Sequence, residues 1–296
     1  MCHNVPAPSY RKLIAGYDGS DHAVDGLALA ELLSDVTGAE LLVTAVVPRE
    51  FPYAPGTPER EEALRARAQD MLVEAVAEND RVQSRVVAAR AAAQGHQELA
   101  ESEEADALIV GSSHRGPIGR VLAGSVAERL LHGSPCPVAV APAGYRERPD
   151  RRLGVVGCAF DGSDEAQLAA RHAAHLAHRA GARLRLLAVL EPALIFGGEV
   201  PAAYSLGELA ASERERLVRA LEEEAAAIAP DVEVEHEVLE GSAVETLGAA
   251  AQDGVDLLTV GSRAYGPVRR VLLGGVSSGL VRSSPVPVLV VPRGAD

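Results

Sequence analysis

Residues 106–140 read DALIVGSSHRGPIGRVLAGSVAERLLHGSPCPVAV, and residues 256–290 read DLLTVGSRAYGPVRRVLLGGVSSGLVRSSPVPVLV. The two align without a gap at an offset of 150. Gly111, Gly116 and Gly124 fall on Gly261, Gly266 and Gly274, and the Ser134-Pro135-x-Pro137 turn falls on Ser284-Pro285-x-Pro287. Upstream, LIAGYDGSD (13–21) falls on VGCAFDGSD (156–164) at an offset of 143. A repeat of this length is a duplicated domain rather than a short-period solenoid. The 296 residues divide into domains 1–146 and 150–296, with the junction in the polar, Pro-containing stretch Gly144–Arg152.

Each copy alternates strand and helix. In the first, Leu13–Tyr17 is a buried-type strand, and a helix follows from Ser20 with Leu29, Leu32, Leu33 and Val36 on one face. Leu41–Val47 is the next strand. Thr57-Pro58 supplies an N-cap and first-turn proline for a helix with Leu64, Ala68, Met71, Leu72 and Ala75 on one stripe. A strand over Val82–Ala88, a helix over Gln94–Glu103, a strand over Leu108–Val110, a helix over Ser125–His132 and a strand over Val138–Ala141 complete the copy. In the second copy Leu217, Leu221, Ala225 and Ile228 form the matching stripe. This alternation specifies the α/β class, with a parallel sheet covered by helices on both faces. The last strands, PVAVAP and PVPVLVVP, are bracketed by prolines and read as edge strands, each able to pair with its counterpart.

Composition narrows the function. Hydrophobic residues make up 47% of the chain and charged residues 24%, which suits a soluble protein with a core. Six Tyr, three Phe and no Trp leave that core to Ala, Val and Leu, and offer no stacking platform for single-stranded nucleic acid. The net charge of −14 disfavours nucleic acid and anionic membranes as partners. Lys12 is the sole lysine, so a lysine phosphate clamp is nearly excluded. Cys2, Cys136 and Cys158 form neither a disulfide framework nor a CxxC pair, and a reducing cytoplasm is the expected location. The N-terminus lacks the apolar core of a signal peptide, and no apolar stretch approaches the ~20 residues of a membrane span. Fingerprints of P-loop, dinucleotide-binding, GxSxG and HExxH proteins are absent. His172, His175 and His178 recur at three-residue spacing, and read as a polar helix face rather than a metal site. Cys136, between prolines, reads as a small packed residue.

In an open parallel sheet, ligands sit beyond the carboxyl ends of the strands where strand order reverses. Two segments emerge there with suitable chemistry. Asp18-Gly19-Ser20 follows the first strand, and Gly111-Ser112-Ser113-His114 follows the fourth and runs to Gly124-Ser125 at a helix start. A helix N-terminus presents free N–H groups and a positive dipole end, glycines let backbone approach a phosphate, and a carboxylate accepts from a ribose or base. The arrangement suits a nucleotide lying across the two strand ends; Gly-Ser turns serving only to reverse the chain would have the same spacing.

On these residues the chain resembles a tandem universal stress protein, with two such domains covering essentially its whole length. The resemblance implies strand order 3-2-1-4-5 in each half and pseudo-dimer packing through the last strands. It also implies ATP, with or without magnesium, as the ligand. The family's motif is Gly, two residues, Gly, nine residues, then Gly followed by Ser or Thr. In the first half Gly111, Gly124 and Ser125 match it, while His114 stands at the second glycine; Asp18 and Val46 match the residues that hold the adenosine part. In the second half Asp161, Val189, Gly261 and Gly274 match, while Ala264 stands at the second glycine and Gly275 at the Ser/Thr. A non-glycine residue where φ must be positive costs roughly 1–2 kcal/mol, and a lost hydroxyl about 0.5–1.5 kcal/mol. The first half, with fewer departures, is the favoured site. Arg115 and Arg120 lie in its loop; Arg263, Arg269 and Arg270 occupy the equivalent loop and partly compensate in the second half.

The leading reading is therefore an adenine-nucleotide-binding stress-response regulator or sensor with no catalytic residues and at most slow, incidental ATP hydrolysis. A scaffold that binds protein partners without nucleotide is the alternative, favoured by His114, Ala264 and Gly275; a true hydrolase ranks below both. A homodimer and unidentified protein partners are compatible with the sequence. The loops Pro48–Pro58 and Pro192–Glu208 are long enough to cover the two clefts. Replacing Gly124 with Val is expected to abolish nucleotide binding with little loss of fold, read by calorimetric titration with Mg·ATP beside a melting curve; unchanged affinity would remove this loop from the site.

Overall fold

The alternation of strand and helix becomes, in the computed structural model, a single ten-stranded sheet. The structure describes residues 8–49, 57–77, 79, 81–112, 125–191, 206–228, 230, 232–262 and 274–292. The first half contains β1 (Lys12–Gly16), α1 (Asp21–Thr37), β2 (Glu40–Pro48), α2 (Thr57–Val76), β3 (Val82–Ala89), α3 (Ala92–Ser102), β4 (Ala107–Gly111), α4 (Ser125–Leu131) and β5 (Val138–Ala141). A single 3-10 turn, Tyr145–Glu147, follows. The second half contains β6 (Val155–Ala159), α5 (Asp164–Ala180), β7 (Arg183–Leu190), α6 (Leu206–Ile228), β8 (Val234–Glu240), α7 (Ala243–Gln252), β9 (Leu257–Gly261), α8 (Gly275–Ser283) and β10 (Val288–Val291). Element ends differ from the sequence reading by a residue or two.

The strand order is β3-β2-β1-β4-β5-β10-β9-β6-β7-β8, which is 3-2-1-4-5 met by its own reverse. Pairing is parallel within each half. At the joint β5 and β10 are antiparallel, with Ala139 opposite Leu289. The two proline-bracketed edges therefore close each other. The lead-in to each is the same small device. Ser134 Oγ accepts from the Cys136 N–H and donates to its carbonyl, and Ser284 Oγ does the same with Val286. Cys136 is buried there and its thiol pKa is pushed up by desolvation to about 12.

Alternation along the strands splits the core into two layers. Leu13, Ala15, Val43 and Ile109 face one layer, with α1 and α5. Ile14, Leu42, Leu108 and Val110 face the other, with α3, α4, α7 and α8. A second repeated device fixes the start of the first strand in each half. Asp106 accepts from the N–H groups of Arg11 (2.6 Å) and Lys12 (2.8 Å), and Asp256 from those of Gly154 (2.7 Å) and Val155 (2.9 Å). Lys12 itself is paired with Glu103 at 2.7 Å.

Across the joint, Arg179 donates to the Thr37 carbonyl (2.7 Å), Tyr10 Oη and His172 Nδ1 share a hydrogen bond (2.8 Å), and Arg282 pairs with Glu128 (2.9 Å). His172 thus serves packing between the halves. The segment after β5 is tied down by Asp25, whose carboxylate is 2% exposed and accepts from the N–H groups of Gly144 and Arg146, both at 2.9 Å. The Arg146 guanidinium returns to the Asp21 carbonyl and carboxylate. Hydrogen bonds to a charged group contribute about 1.5–3 kcal/mol each, and here two part-buried donors depend on one buried side chain. Asp25→Ala is expected to lower the unfolding free energy by about 3 kcal/mol in urea denaturation; an unchanged midpoint would mean the clamp carries no stability.

Candidate functional site

At the carboxyl end of each half-sheet the chain makes the same turn. Asp18 Oδ1 accepts from the Ser20 N–H at 3.0 Å, and Asp161 Oδ1 from the Ser163 N–H at 3.0 Å and the Ser163 hydroxyl at 2.5 Å. The middle glycines, Gly19 and Gly162, have φ of +76° and +84°, a left-handed conformation that disfavours other residues. The serines then cap their helices, Ser20 accepting from Ala23 and Ser163 from Ala166, both at 3.2 Å. Every residue of Asp-Gly-Ser thus has a backbone duty. The duty uses one carboxylate oxygen and leaves the other without a hydrogen bond among the described residues.

The strand-four glycines also have a structural duty. A Cβ on Gly111 would lie 1.7 Å from the His22 carbonyl oxygen, and one on Gly261 would lie 2.6 Å from that of Glu165. Glycine is needed there so that the strand end can approach the first turn of α1 or α5. The next residues, Ser112 and Ser262, are at most 2% exposed. Their N–H groups bond the carbonyls of Ala141 and Val291, while both hydroxyl oxygens have no hydrogen-bond partner among the described residues. An unmatched buried hydroxyl costs about 1–3 kcal/mol. Thr259, inside β9, carries an unmatched hydroxyl of the same kind, so the feature is not confined to the strand ends.

In the second half these elements border a half-open cleft of about 840 Å³. Asp161, Val189, Gly261 and Gly274 all line it, so the four sequence-selected residues of this half meet in one place. Its apolar wall includes Ala159, Leu187, Leu247, Val260 and Val276, and Ser262 lies at its base. Carboxylates from Asp161, Glu165, Glu191 and Glu213 surround it, with Arg216 as the one cation among its described lining residues. Arg216 is held by both oxygens of Glu213, at 2.7 and 2.9 Å, and donates to the Asp161 carbonyl at 3.3 Å. That pairing holds the Glu213 carboxyl below its usual pKa. Glu191 caps α7 through the Ala243 N–H at 2.5 Å. At the mouth, the Ser277 hydroxyl accepts from the Gly274 N–H at 3.1 Å, so one donor at the start of α8 is already satisfied. Sequence reading missed Glu165, Glu191 and Glu213.

In the first half Asp18 and Gly111 sit at the ends of β1 and β4, and Val46 lies half-buried on β2, paired with Val87. Ser125 begins α4. His114 and Gly124 lie outside the described residues, as do Arg115, Arg120, Arg263, Ala264, Arg269, Arg270, most of 48–58 and 192–205. The register nonetheless identifies counterparts of the second-half lining: His22 for Glu165, Pro48 for Glu191, Leu64 for Glu213 and Ala127 for Ser277. Three carboxylates of the second cleft have no acidic counterpart in the first, and Ala127 has no hydroxyl to occupy a helix-terminal donor. Among the described residues no group of His, Cys, Asp and Glu is placed to hold a metal ion, and no helix is long and apolar enough to cross a membrane.

Comparison with known proteins gives one family. A model described as the universal stress protein family matches residues 9–142 and again 154–292. A universal stress protein of Mycobacterium tuberculosis (strain ATCC 25618 / H37Rv) is 31% identical over 296 residues, covering 95% of this chain and 99% of its own. One of Mycolicibacterium smegmatis is 35% identical over 197 residues, covering 65% of this chain and 64% of its own. Among solved structures, a universal stress protein from Archaeoglobus fulgidus superposes with a TM-score of 0.70 at 20% identity, covering 96% of this chain and 98% of the other. A putative universal stress protein from Pseudomonas aeruginosa gives 0.66 at 18% identity, covering 98% and 96%. These two show a shared fold.

Two glycine substitutions separate scaffold from site. A Cβ on Gly275 would meet nothing within 4 Å. Gly275→Ser, which restores the hydroxyl of the motif, is expected to leave stability within about 0.5 kcal/mol of the parent. Gly111→Ala, which drives a Cβ into the His22 carbonyl, is expected to cost about 3 kcal/mol or more in the same denaturation assay. Equal midpoints for the two variants would contradict the close approach at Gly111.

Proposed function

The chain belongs to the universal stress protein family, as a tandem two-domain stress-response protein, and from that premise we propose that it binds an adenine nucleotide, ATP, in its first half as a regulator or sensor. Domains 1–146 and 150–296 are the units of this reading. Asp18 and the backbone of Val46 hold the adenosine part; Gly111, the N–H of His114, Gly124 and Ser125 hold phosphates. Asp161, Val189, Gly261 and Gly274 form the corresponding, weaker site. The observation that carries the reading is the convergence of these four second-half residues on one cavity at the carboxyl ends of the strands. The first half repeats that framework at the ends of β1 and β4.

Preference for the first half follows from charge. A triphosphate in the second cleft meets Glu165, Glu191 and an Arg216-paired Glu213 where the first cleft offers His22, Pro48 and Leu64, so the repulsion comes chiefly from the first two. Near a protein surface each like-charge pair at about 6 Å costs on the order of 1 kcal/mol. The helix-terminal donor taken by Ser277 adds to the handicap. The reading is one of binding rather than turnover, with any hydrolysis slow and incidental.

Calorimetric titration of the ligand-free full-length protein with Mg·ATP is the test. A stoichiometry near one is expected, abolished by Gly124→Val. A stoichiometry near two would reverse the ranking of the halves. No heat at high micromolar ATP would make a partner-binding scaffold the better description.

A further inference from the structure

The two clefts differ at their floors as well as at their rims. In the second half Ala159, Leu187 and Leu247 line the cavity as an apolar set. Their first-half counterparts are Gly16, Thr44 and His96. For the strands the register is direct, since β1 pairs with β2 as β6 pairs with β7. For the helices the N-caps correspond, Ala91 with Ser242, which sets Leu247 against His96. One half therefore carries three polar or minimal residues where the other carries three hydrocarbon ones.

The three have adapted to one another. Thr44 Oγ1 donates to the Ala15 carbonyl at 3.2 Å, which leaves its lone pairs to accept from His96 Nδ1–H at 3.1 Å. With the Thr44 proton assigned to the Ala15 carbonyl, Nδ1 carries the ring proton and Nε2 keeps a lone pair. Among the described residues Nε2 makes no hydrogen bond. It lies 2.8 Å from where a Cβ on Gly16 would be, so glycine is required opposite it, where the second half has alanine opposite leucine. Gly16 is half-buried, so the space beside it is not filled by protein. The ring is 4% exposed, and burial lowers its pKa to about 4, so it is neutral at physiological pH. The fold does not need this arrangement, because the second half is built without it. Nε2 is not among the buried atoms that lack a partner, so its edge is reachable from the space beside Gly16, where water or a ligand can meet it.

We infer that His96, oriented by Thr44, is a specificity residue of the first cleft whose Nε2 accepts a hydrogen bond from an uncharged hydroxyl or amino donor on the nucleoside part of the bound ligand. This rests on nucleotide occupancy of that cleft, and it predicts that the ligand is chosen by its nucleoside as well as by its phosphates.

The other half supplies the test variant. Thr44→Leu/His96→Leu installs a pair that the same fold accommodates elsewhere, with Gly16→Ala as an optional third change. Full-length protein is titrated with Mg·ATP. The double variant is expected to melt within a few degrees of the parent and to bind ATP about tenfold more weakly, the loss of one hydrogen bond. Parent binding with an unchanged affinity in the folded variant would overturn the inference and leave the nucleotide reading standing. No ATP binding by the parent would sink that reading and this inference together. Should the variant fail to fold, 15N spectra of histidine-labelled parent protein decide. ATP is expected to move the unprotonated Nε2 resonance of His96 and to leave the ring resonances of His172 in place; a stationary His96 resonance overturns the assignment.

Discussion

The antiparallel pairing of β5 with β10 is the constraint from which the rest of the architecture follows. Each half alone would end in an exposed strand edge, with unpaired N–H and C=O groups open to any other chain. Joined, the two edges satisfy each other. Because the joint is antiparallel while each half is parallel, the carboxyl ends of the two half-sheets point in opposite directions. The helices keep their faces: α1 and α5 share one core layer, α3, α4, α7 and α8 the other. The pseudo-twofold axis therefore runs through the sheet, and the two candidate clefts open at opposite ends of one face. A ligand in one cannot touch a ligand in the other. Any influence between them must pass through the joint, where Tyr10, Thr37 and Glu128 meet His172, Arg179 and Arg282.

Duplication makes the chain its own comparison. Features present in both halves answer to the fold. Asp-Gly-Ser builds a turn and caps a helix, Gly111 and Gly261 allow a helix to approach a strand end, Asp106 and Asp256 hold a strand start, and the Ser-Pro turns lead into the joint. Motif residues are therefore weaker evidence of ligand binding than their recurrence suggests. Features that differ answer to something else. The acidic rim at Glu165, Glu191 and Glu213, and the Thr44–His96 pair facing Leu187–Leu247, are such differences, and they concentrate at the clefts.

Much of the fold was legible because its determinants are local and periodic. Apolar runs of strand length, stripes at helical spacing and the Asp-Gly-Ser and Ser-Pro signals locate nearly every element, and the repeat shows that they occur twice. What escaped was whatever depends on tertiary partners. Asp25 sits in a helix among leucines and alanines, where sequence offers no reason for a charge; its reason is two N–H groups more than a hundred residues away. Glu165, Glu191 and Glu213 come from three separate elements and read individually as surface acids. His96 was hidden by register. The segment joining α3 to β4 differs by one residue from its counterpart, so a fixed offset of 150 sets His96 against Thr246 instead of Leu247. Only the corresponding helix caps restore the match.

That one-residue slip bears on how such a protein diverges. The sheet and its two core layers need both halves intact, since neither half closes its own edge. The clefts lie outside that requirement, at the strand ends, and one can change while the other is kept. Charge added at the rim of the second cleft costs the fold little, because Glu191 caps a helix and Glu213 pairs with Arg216. A buried histidine at the floor of the first is harder to tolerate, and it persists beside a glycine and a threonine that accommodate it. The asymmetry is thus of two kinds: a more acidic rim on one side, a polar Thr44–His96 floor on the other. Under the proposed reading both favour the first half for a phosphorylated nucleoside, through residues that the nucleotide motif itself does not contain.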